Sequence, residues 1–240
     1  LRNSSAASDV YKRQLRRDGI SNADWFVLLG GDGHQPATEP NNPNIVYAQS
    51  QEGYLNRIDR SSGEVVSIRP QEGIDEPYER FNWDSPIVVS HHNPKTIYFG
   101  SQRVWKSNNR GDSWTPISKD LTKDEERFSL PIMGRIQSID NAWDVYAMST
   151  YNTITSISES RLDSNIIYIG TDDGIIQSTK DGGLQWDKMS VDQLPKTPAS
   201  AFVNDIKTDL FDSKKTYICL DNHKFGDYQP YLFKTTDGGK

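Results

Sequence analysis

The sequence is poor in cysteine, in long apolar runs and in net positive charge. Its one cysteine, Cys219, excludes an internal disulfide framework, and the surrounding run TYICL predicts a core position for it. No run approaches the roughly 18–20 apolar residues that a membrane-spanning helix needs. A formal net charge of -6 argues against a nucleic-acid partner, because such binding depends on clustered lysine and arginine.

The most regular stretch is residues 166–186, IIYIGTDDGIIQSTKDGGLQW. Two β-branched and aromatic runs flank Asp172-Asp173-Gly174, a sequence that predicts a hairpin. The second run leads into T-x-D-x-G-x-x-W, the pattern of an Asp-box. In such a turn a hydroxyl and a carboxylate bond to nearby backbone amides, and a glycine fits where φ is positive. The tryptophan is then expected to fold back as an apolar plug.

This unit recurs along the chain. Versions of one strand carry aligned tyrosines about 50, 70 and 50 residues apart, at Tyr47, Tyr98, Tyr168 and Tyr217. Repeats made only of strands with this period predict an all-β chain that folds as a β-propeller. The expected blades are residues 25–68, 83–118, 152–190 and 200–240, with an insertion at 119–151 and the last blade cut short. Because about four blades do not close a common ring, we expect a part of a larger, tandem propeller.

The Asp-box pattern of the third blade also occurs in the second blade and, incompletely, in the fourth. In the second blade Asn109 occupies the position of the aspartate. We expect these residues to stabilise turns and to plug blades, so that Trp186→Ala costs about 3–5 kcal/mol. The residues with this structural role are Ser107, Asn109, Gly111, Trp114, Thr179, Asp181, Gly183, Trp186, Thr235, Asp237 and Gly239.

The beginning of the chain does not share the repeat. Residues 1–14, LRNSSAASDVYKRQ, have no strand pattern, and we expect a non-native or disordered leader before a partial propeller at 15–240. Residues 24–29 are apolar and predict the inner strand of the first blade. The following GGDG is expected to bend at the channel mouth, with Asp32 and His34 near the axis. A phosphate loop is disfavoured, because the prolines that follow exclude the helix it needs.

Candidate ligand-binding residues are polar or aromatic side chains in predicted loops: Asp32, His34, Trp83, Trp143 and Tyr228. Aromatic rings in loops stack on sugars or anchor peptides. The loop carboxylates Asp32, Asp84 and Asp144 are candidates for catalysis, with turn capping as the alternative, and no catalytic set is assigned. The adjacent histidines His91 and His92 lack further ligands at metal-binding spacing, so no metal and no cofactor are expected.

The two full Asp-boxes, at 107–114 and 179–186, resemble those of the BNR-repeat superfamily, which includes sialidases, xyloglucanase-type glycoside hydrolases and sortilin/Vps10 receptors. Longer stretches resemble large secreted bacterial proteins of the sortilin/Vps10-like or "glycosyl hydrolase, BNR repeat" type: residues 44–69, 81–114, 151–186 and 223–239. The resemblance covers about residues 25–240. It implies an exported propeller of many blades, extracellular or periplasmic, although no signal peptide is visible.

The leading functional hypothesis is a non-catalytic binding or scaffold module that presents loops to a peptide or glycan. Its expected partners are that ligand and the remaining blades of a parent chain, with no nucleic acid and no membrane span. The alternative is part of a xyloglucanase-like glycoside hydrolase with paired carboxylates. Sialidase chemistry is not supported, because the arginines are scattered, and a protease-associated propeller stays open.

Overall fold

The computed structural model describes residues 25, 27–32, 35–132, 134–142, 144 and 150–239. Within these residues the chain forms antiparallel sheets in which strands pair in the order of the sequence. Single 3₁₀ turns occur at Arg127–Ser129, Val191–Gln193 and His223–Phe225. The expected leader at 1–14 and two candidate site residues, His34 and Trp143, lie outside the described residues.

Two four-stranded sheets form the first half of the described chain. The first sheet consists of β1 (Ala37–Glu39), β2 (Asn42–Ser50), β3 (Tyr54–Asp59) and β4 (Glu64–Ser67). The second sheet consists of β5 (Ile87–Val89), β6 (Ile97–Gly100), β7 (Val104–Ser107) and β8 (Thr115–Pro116). The first strand of each sheet is the inner strand of a blade, and the last is its outer strand.

A two-stranded ribbon and two further sheets follow. The ribbon of β9 (Pro131–Ile132) and β10 (Arg135–Ile136) lies in the segment that stretches the repeat. The third sheet consists of β11 (Ile154–Glu159), β12 (Ile167–Thr171), β13 (Ile175–Thr179) and β14 (Asp187–Ser190). The fourth sheet consists of β15 (Phe202–Thr208), β16 (Thr216–Asn222) and β17 (Asp227–Thr235).

The predicted inner strand at residues 24–29 is wrong. Among the described residues of that run none lies in a strand, and Val27 is exposed. The inner strand of the first blade is β1, which pairs with β2 through a bulge. The reason is local: Asn41 has a φ of 64° and makes the tight turn directly before β2, so the residues just before that turn must supply the partner strand.

The core consists of apolar layers between consecutive sheets, as in blades that pack face to face. The aligned tyrosines show the direction of this packing. Tyr47, Tyr98 and Tyr168 face the following sheet and are 0%, 1% and 3% exposed. Tyr217 on the fourth sheet is 36% exposed, because no described residue covers that face. Cys219 lies two residues further along this strand, so it is exposed and the predicted core position is wrong.

The turn from Thr179 to Trp186 has the bonds expected of an Asp-box. The Thr179 hydroxyl donates to Oδ1 of Asp181 at 2.8 Å and accepts from the Gly183 amide at 3.0 Å. The same Oδ1 accepts from the Gln185 amide at 3.0 Å. The turns that begin at Ser107 and Thr235 repeat the hydroxyl bonds.

Each complete turn fastens its blade to the preceding one. The Trp114 indole donates to the Ile68 carbonyl at 2.7 Å, and the Trp186 indole donates to the Ile117 carbonyl at 3.1 Å. Both acceptors directly follow the outer strand of the previous sheet. Gly183 has a φ of 104°, and a Cβ there would lie 2.7 Å from the Ile117 carbonyl oxygen. Glycine therefore allows the turn to approach the neighbouring blade closely.

We predict that Trp186→Ala lowers the free energy of unfolding by about 3 kcal/mol, at the lower end of the range for buried aromatics, because the indole is half-buried. Trp186→Phe keeps an aromatic ring but removes the indole N–H and part of the ring volume, at a smaller cost of about 1–2 kcal/mol. Chemical denaturation measures both. Leu184→Ala in the same turn is the matched control, since its side chain is 86% exposed and its loss should change stability by less than about 0.5 kcal/mol. Equal stability of Trp186→Ala and the control contradicts the locking role.

Candidate functional site

One end of the blades brings together the entries to the inner strands and the hairpins between second and third strands. In the third blade the Asp172 amide donates to the Thr153 carbonyl at 3.1 Å, and Ile154 N donates to the Ser101 carbonyl of the second blade at 2.7 Å. We call this end the upper loop face. It comprises residues 49–53, 80–86, 100–103, 150–153, 171–174, 199–201 and 222–227.

Trp83 lies where three blades meet on the upper loop face. Its carbonyl accepts from the Glu52 amide of the first blade at 3.3 Å. The preceding Asn82 donates from Nδ2 to the Thr153 hydroxyl at 2.8 Å and to Oδ2 of Asp172 at 3.4 Å, both in the third blade. The Trp83 side chain stays 39% exposed. The chain thus holds an exposed indole on a backbone that is fixed from both sides.

Asp172 is the most strongly perturbed group of this face. It is 5% exposed, and burial raises the pKa of its carboxyl to about 7. The Thr153 amide and hydroxyl donate to the carboxylate at 2.8 and 2.7 Å and oppose this increase. The neighbouring Asp173 carboxylate raises the pKa of Asp172 further, and burial also raises the pKa of Asp173.

A cationic group lies close to this acidic pair. The Arg127 guanidinium stands over the Tyr151 ring at 5.0 Å, and burial lowers its pKa while the charge of Asp172 raises it. Burial also raises the pKa of Tyr151. Such clusters of perturbed groups are common at functional sites, although structural networks produce them too.

From the sequence, Asp172 and Asp173 are predicted only as part of a hairpin turn, and the cluster around them is not predicted. The two apolar runs on either side indicated a buried hairpin, which was the available signal that its carboxyls would be buried too. The partners, Asn82 and Thr153, come from other parts of the chain, and nothing in the sequence links them to the turn.

The predicted carboxylates have different surroundings. Asp144 is buried and accepts from Arg135 through both oxygens, and this pairing lowers its pKa. Because this ion pair keeps the Asp144 carboxyl deprotonated, Asp144 cannot donate a proton as a general acid. Asp84 is half-buried beside Asn82, whose Oδ1 accepts from the Asp84 amide at 3.1 Å. Asp32 is exposed, and its amide donates to Gln51 at 3.1 Å.

The structure brings only some of the candidate residues together. Trp83 and Asp84 lie beside the Asp172 cluster, and Tyr228 is exposed at the same end of the fourth blade. Asp144 lies in the stretched segment, in contact with Arg135 and Ser138. In the described part of the chain, no group of three or more His, Cys, Asp or Glu side chains can hold a metal ion. The same residues include no helix long and apolar enough to cross a membrane.

Comparison with known proteins identifies the fold and no family. No protein-family model and no curated protein matches the sequence. An ancestral GH74 enzyme is 16% identical with a TM-score of 0.52, over 89% of this chain and 24% of that one. The GH74 enzyme of Niastella koreensis is 15% identical with a TM-score of 0.41, over 87% of this chain and 37% of that one. This chain thus spans well under half the length of either enzyme.

The likeness to the ancestral enzyme confirms the predicted fold class: the chain is all-β and forms blades of a β-propeller. At 16% identity it concerns the fold alone. This likeness does not show the sortilin/Vps10-like group that the sequence resemblance implies.

We predict that Asp172 makes stability fall as pH rises from about 4 to about 7. The folded chain keeps its carboxyl proton up to about pH 7, whereas the unfolded chain, with a pKa near 3.8, releases it earlier. Stability therefore decreases with pH wherever the folded state binds more protons, by at most about 1.4 kcal/mol per pH unit. Above about pH 7 this contribution becomes constant.

The test compares urea denaturation of the natural chain and Asp172→Asn between pH 4.5 and 8, because all other titrating groups are common to both. The difference in free energy of unfolding should change steadily with pH up to about 7 in favour of the variant. Parallel pH profiles would show that Asp172 is already charged in the folded chain.

Proposed function

We propose that this propeller is a non-catalytic glycan-binding module and that its upper loop face is the binding surface. The observation that carries the proposal is the exposed Trp83 indole at the junction of three blades. An aromatic ring packs its face against the apolar face of a sugar. The likeness to an ancestral GH74 enzyme is consistent with a glycan ligand.

Rigidity is the second argument for binding at Trp83. Hydrogen bonds from Glu52 on one side and through Asn82 on the other hold the backbone of the loop before any ligand arrives. A ligand that meets a preorganised surface does not lose affinity to loop ordering. The polar side chains next to the ring, Asn82 and Asp84, are of the kind that form hydrogen bonds with sugar hydroxyls.

The alternative is part of a xyloglucanase-like glycoside hydrolase. The near-neutral pKa of Asp172 favours it, since a general acid must keep its proton near neutral pH. However, Asp172 is buried under Thr153 and Asn82, so its carboxyl is not open to a substrate. A hydrolase also needs a second carboxyl about 5–10 Å away across an open cleft. Binding therefore explains these contacts better than hydrolysis.

The family and the cellular location that we propose come from the sequence resemblance. We assign the module to the sortilin/Vps10-like BNR type and place it outside the cytoplasm, extracellular or periplasmic. Its further partners are other blades of a parent chain. A peptide ligand in place of a glycan is an outcome that the binding experiment distinguishes.

We predict that Trp83→Ala lowers glycan affinity at least tenfold, because one stacked ring contributes about 1.5 kcal/mol or more. Trp83→Phe should retain most of the affinity. Phe211→Ala is the matched control, because Phe211 is exposed in the loop between β15 and β16 at the opposite end of the blades. A polysaccharide array followed by calorimetry measures binding. Glycan binding that survives Trp83→Ala would contradict the proposal, and binding only to peptides would replace the ligand class.

We also predict that incubation with bound polysaccharides releases no reducing ends. Three variants test the alternative: Asp32→Asn, Asp84→Asn and Asp144→Asn. Under the binding proposal none of them changes product formation. Asp144→Asn loses stability because the Arg135 ion pair is broken, and Asp84→Asn, beside Trp83 on the upper loop face, is expected to alter binding only. Release that disappears in one folded variant would overturn the non-catalytic assignment and identify the acid or base.

A further inference from the structure

Acidic side chains outnumber lysines and arginines on the upper loop face. The acidic residues of this face are Glu52, Asp84, Asp172, Asp173 and Asp227. Its lysines and arginines are Arg80, Arg103 and Lys224. An exposed aromatic ring in such surroundings meets a ligand whose charge is constrained, because a like charge is repelled and an opposite charge is attracted.

The cations of this region do not offset its carboxylates. Each arginine of the face is already paired with two carboxylates from outside it: Arg80 with Asp120 and Asp124, and Arg103 with Glu76 and Glu79. Lys224 stands over the Phe202 ring of the fourth blade at 5.5 Å. Arg69, next to the face, stands over the rings of Tyr54 and Phe81 at 4.9 and 4.7 Å. Two carboxylates on one guanidinium leave a net negative charge.

The hydrogen-bond donors next to Trp83, apart from its own indole N–H, are already used within the protein. The Asn82 side chain and the Thr153 hydroxyl donate to the Asp172 carboxylate at 3.4 and 2.7 Å. The Glu52 amide donates to the Trp83 carbonyl at 3.3 Å. A ligand on the indole therefore meets mainly hydrogen-bond acceptors.

Two of these acceptors lack a partner in the described part of the chain. Glu52 is exposed, and no described residue forms an ion pair with its carboxylate. Its φ of 58° lies in the left-handed region, which is uncommon for a glutamate. Gln49 is 3% exposed, and its Nε2 donates to the Ser85 carbonyl, whereas no described donor reaches its Oε1. A buried acceptor without a donor is costly, so this loop is complemented by a ligand that donates hydrogen bonds.

We propose that the glycan bound at Trp83 carries ammonium groups, so that the ligand is a polymer of amino sugars with free amino groups. An ammonium group donates hydrogen bonds and accepts none, which suits the acceptors beside the ring. It is attracted both to the Glu52 carboxylate and to the face of the indole. Uronic-acid and sulfated glycans would meet like charges instead. The inference rests on the proposed binding at Trp83 and adds the charge of the ligand.

The experiment compares glucosamine oligomers with N-acetylated oligomers of the same length by calorimetry, at a mildly acidic pH that keeps the amino groups charged. The charged oligomers should bind at least about fivefold more tightly, because an exposed ion pair and a cation–π contact each contribute up to about that factor. Raising the salt concentration from about 0.05 to about 0.5 M should remove most of this preference, because salt screens exposed charges.

Two variants separate the charge from the ring. Glu52→Gln should weaken binding of the charged oligomers about threefold or more and leave the N-acetylated oligomers unaffected, whereas Trp83→Ala should weaken binding of both. Glu64→Gln is the matched control, because Glu64 is an exposed glutamate at the start of β4, at the opposite end of the blades. It should change neither affinity.

The outcomes distinguish this inference from the proposed function. Equal affinity for both kinds of oligomer, lost in Trp83→Ala, would overturn the amino-sugar assignment and leave glycan binding at Trp83 standing. Binding of no glycan at all would overturn both. Lysine oligomers that bind more tightly than glucosamine oligomers and displace them would also overturn the assignment, because the ligand would then be a basic peptide.

Discussion

The structure depends on the contact between each blade and the outer strand of the blade before it. A single sheet of three or four strands has two faces and cannot bury both alone, so stability comes from the stack. At the end of the blades opposite the upper loop face, hydrogen bonds from the Trp114 indole to the Ile68 carbonyl and from the Trp186 indole to the Ile117 carbonyl hold neighbouring blades together. Because Gly111 and Gly183 sit against the same two residues, side chain and backbone specify one spacing between blades.

At the upper loop face, hydrogen bonds between buried polar groups connect neighbouring blades. Asp172 and Thr153 join the entry and the hairpin of one blade, and Asn82 extends their network to the blade before it. A buried polar group is costly unless it is satisfied, so these bonds specify geometry more than they add stability. The exposed Trp83 gains its fixed position from this network.

The sequence predicted most of the fold because the repeat shows directly in it. The tyrosines of the second strands and the T-x-D-x-G turns identified blades, and Tyr47, Tyr98 and Tyr168 are buried at three successive interfaces. The predictions that were wrong concern residues whose position depends on packing against another sheet. The apolar run before Gly30 predicted a strand that does not form among the described residues, and the run around Cys219 predicted a core position, whereas Cys219 is exposed on the fourth sheet. The Asp172 cluster was missed because Asn82 and Thr153 are distant in sequence.

Asn82 connects the stability of the upper loop face with the position of Trp83, the residue proposed to contact a ligand. When Asp172 loses its proton, the buried charge weakens the fold, yet the carboxylate becomes a stronger acceptor for the Asn82 amide. The loop that carries Trp83 is then held more firmly while the blade beneath it becomes less stable. The indole itself does not titrate, so the charge of Asp172 acts on its position through the Asn82 side chain. The Asn82 amide therefore links the protonation state of a group in the third blade to the loop that carries the ring.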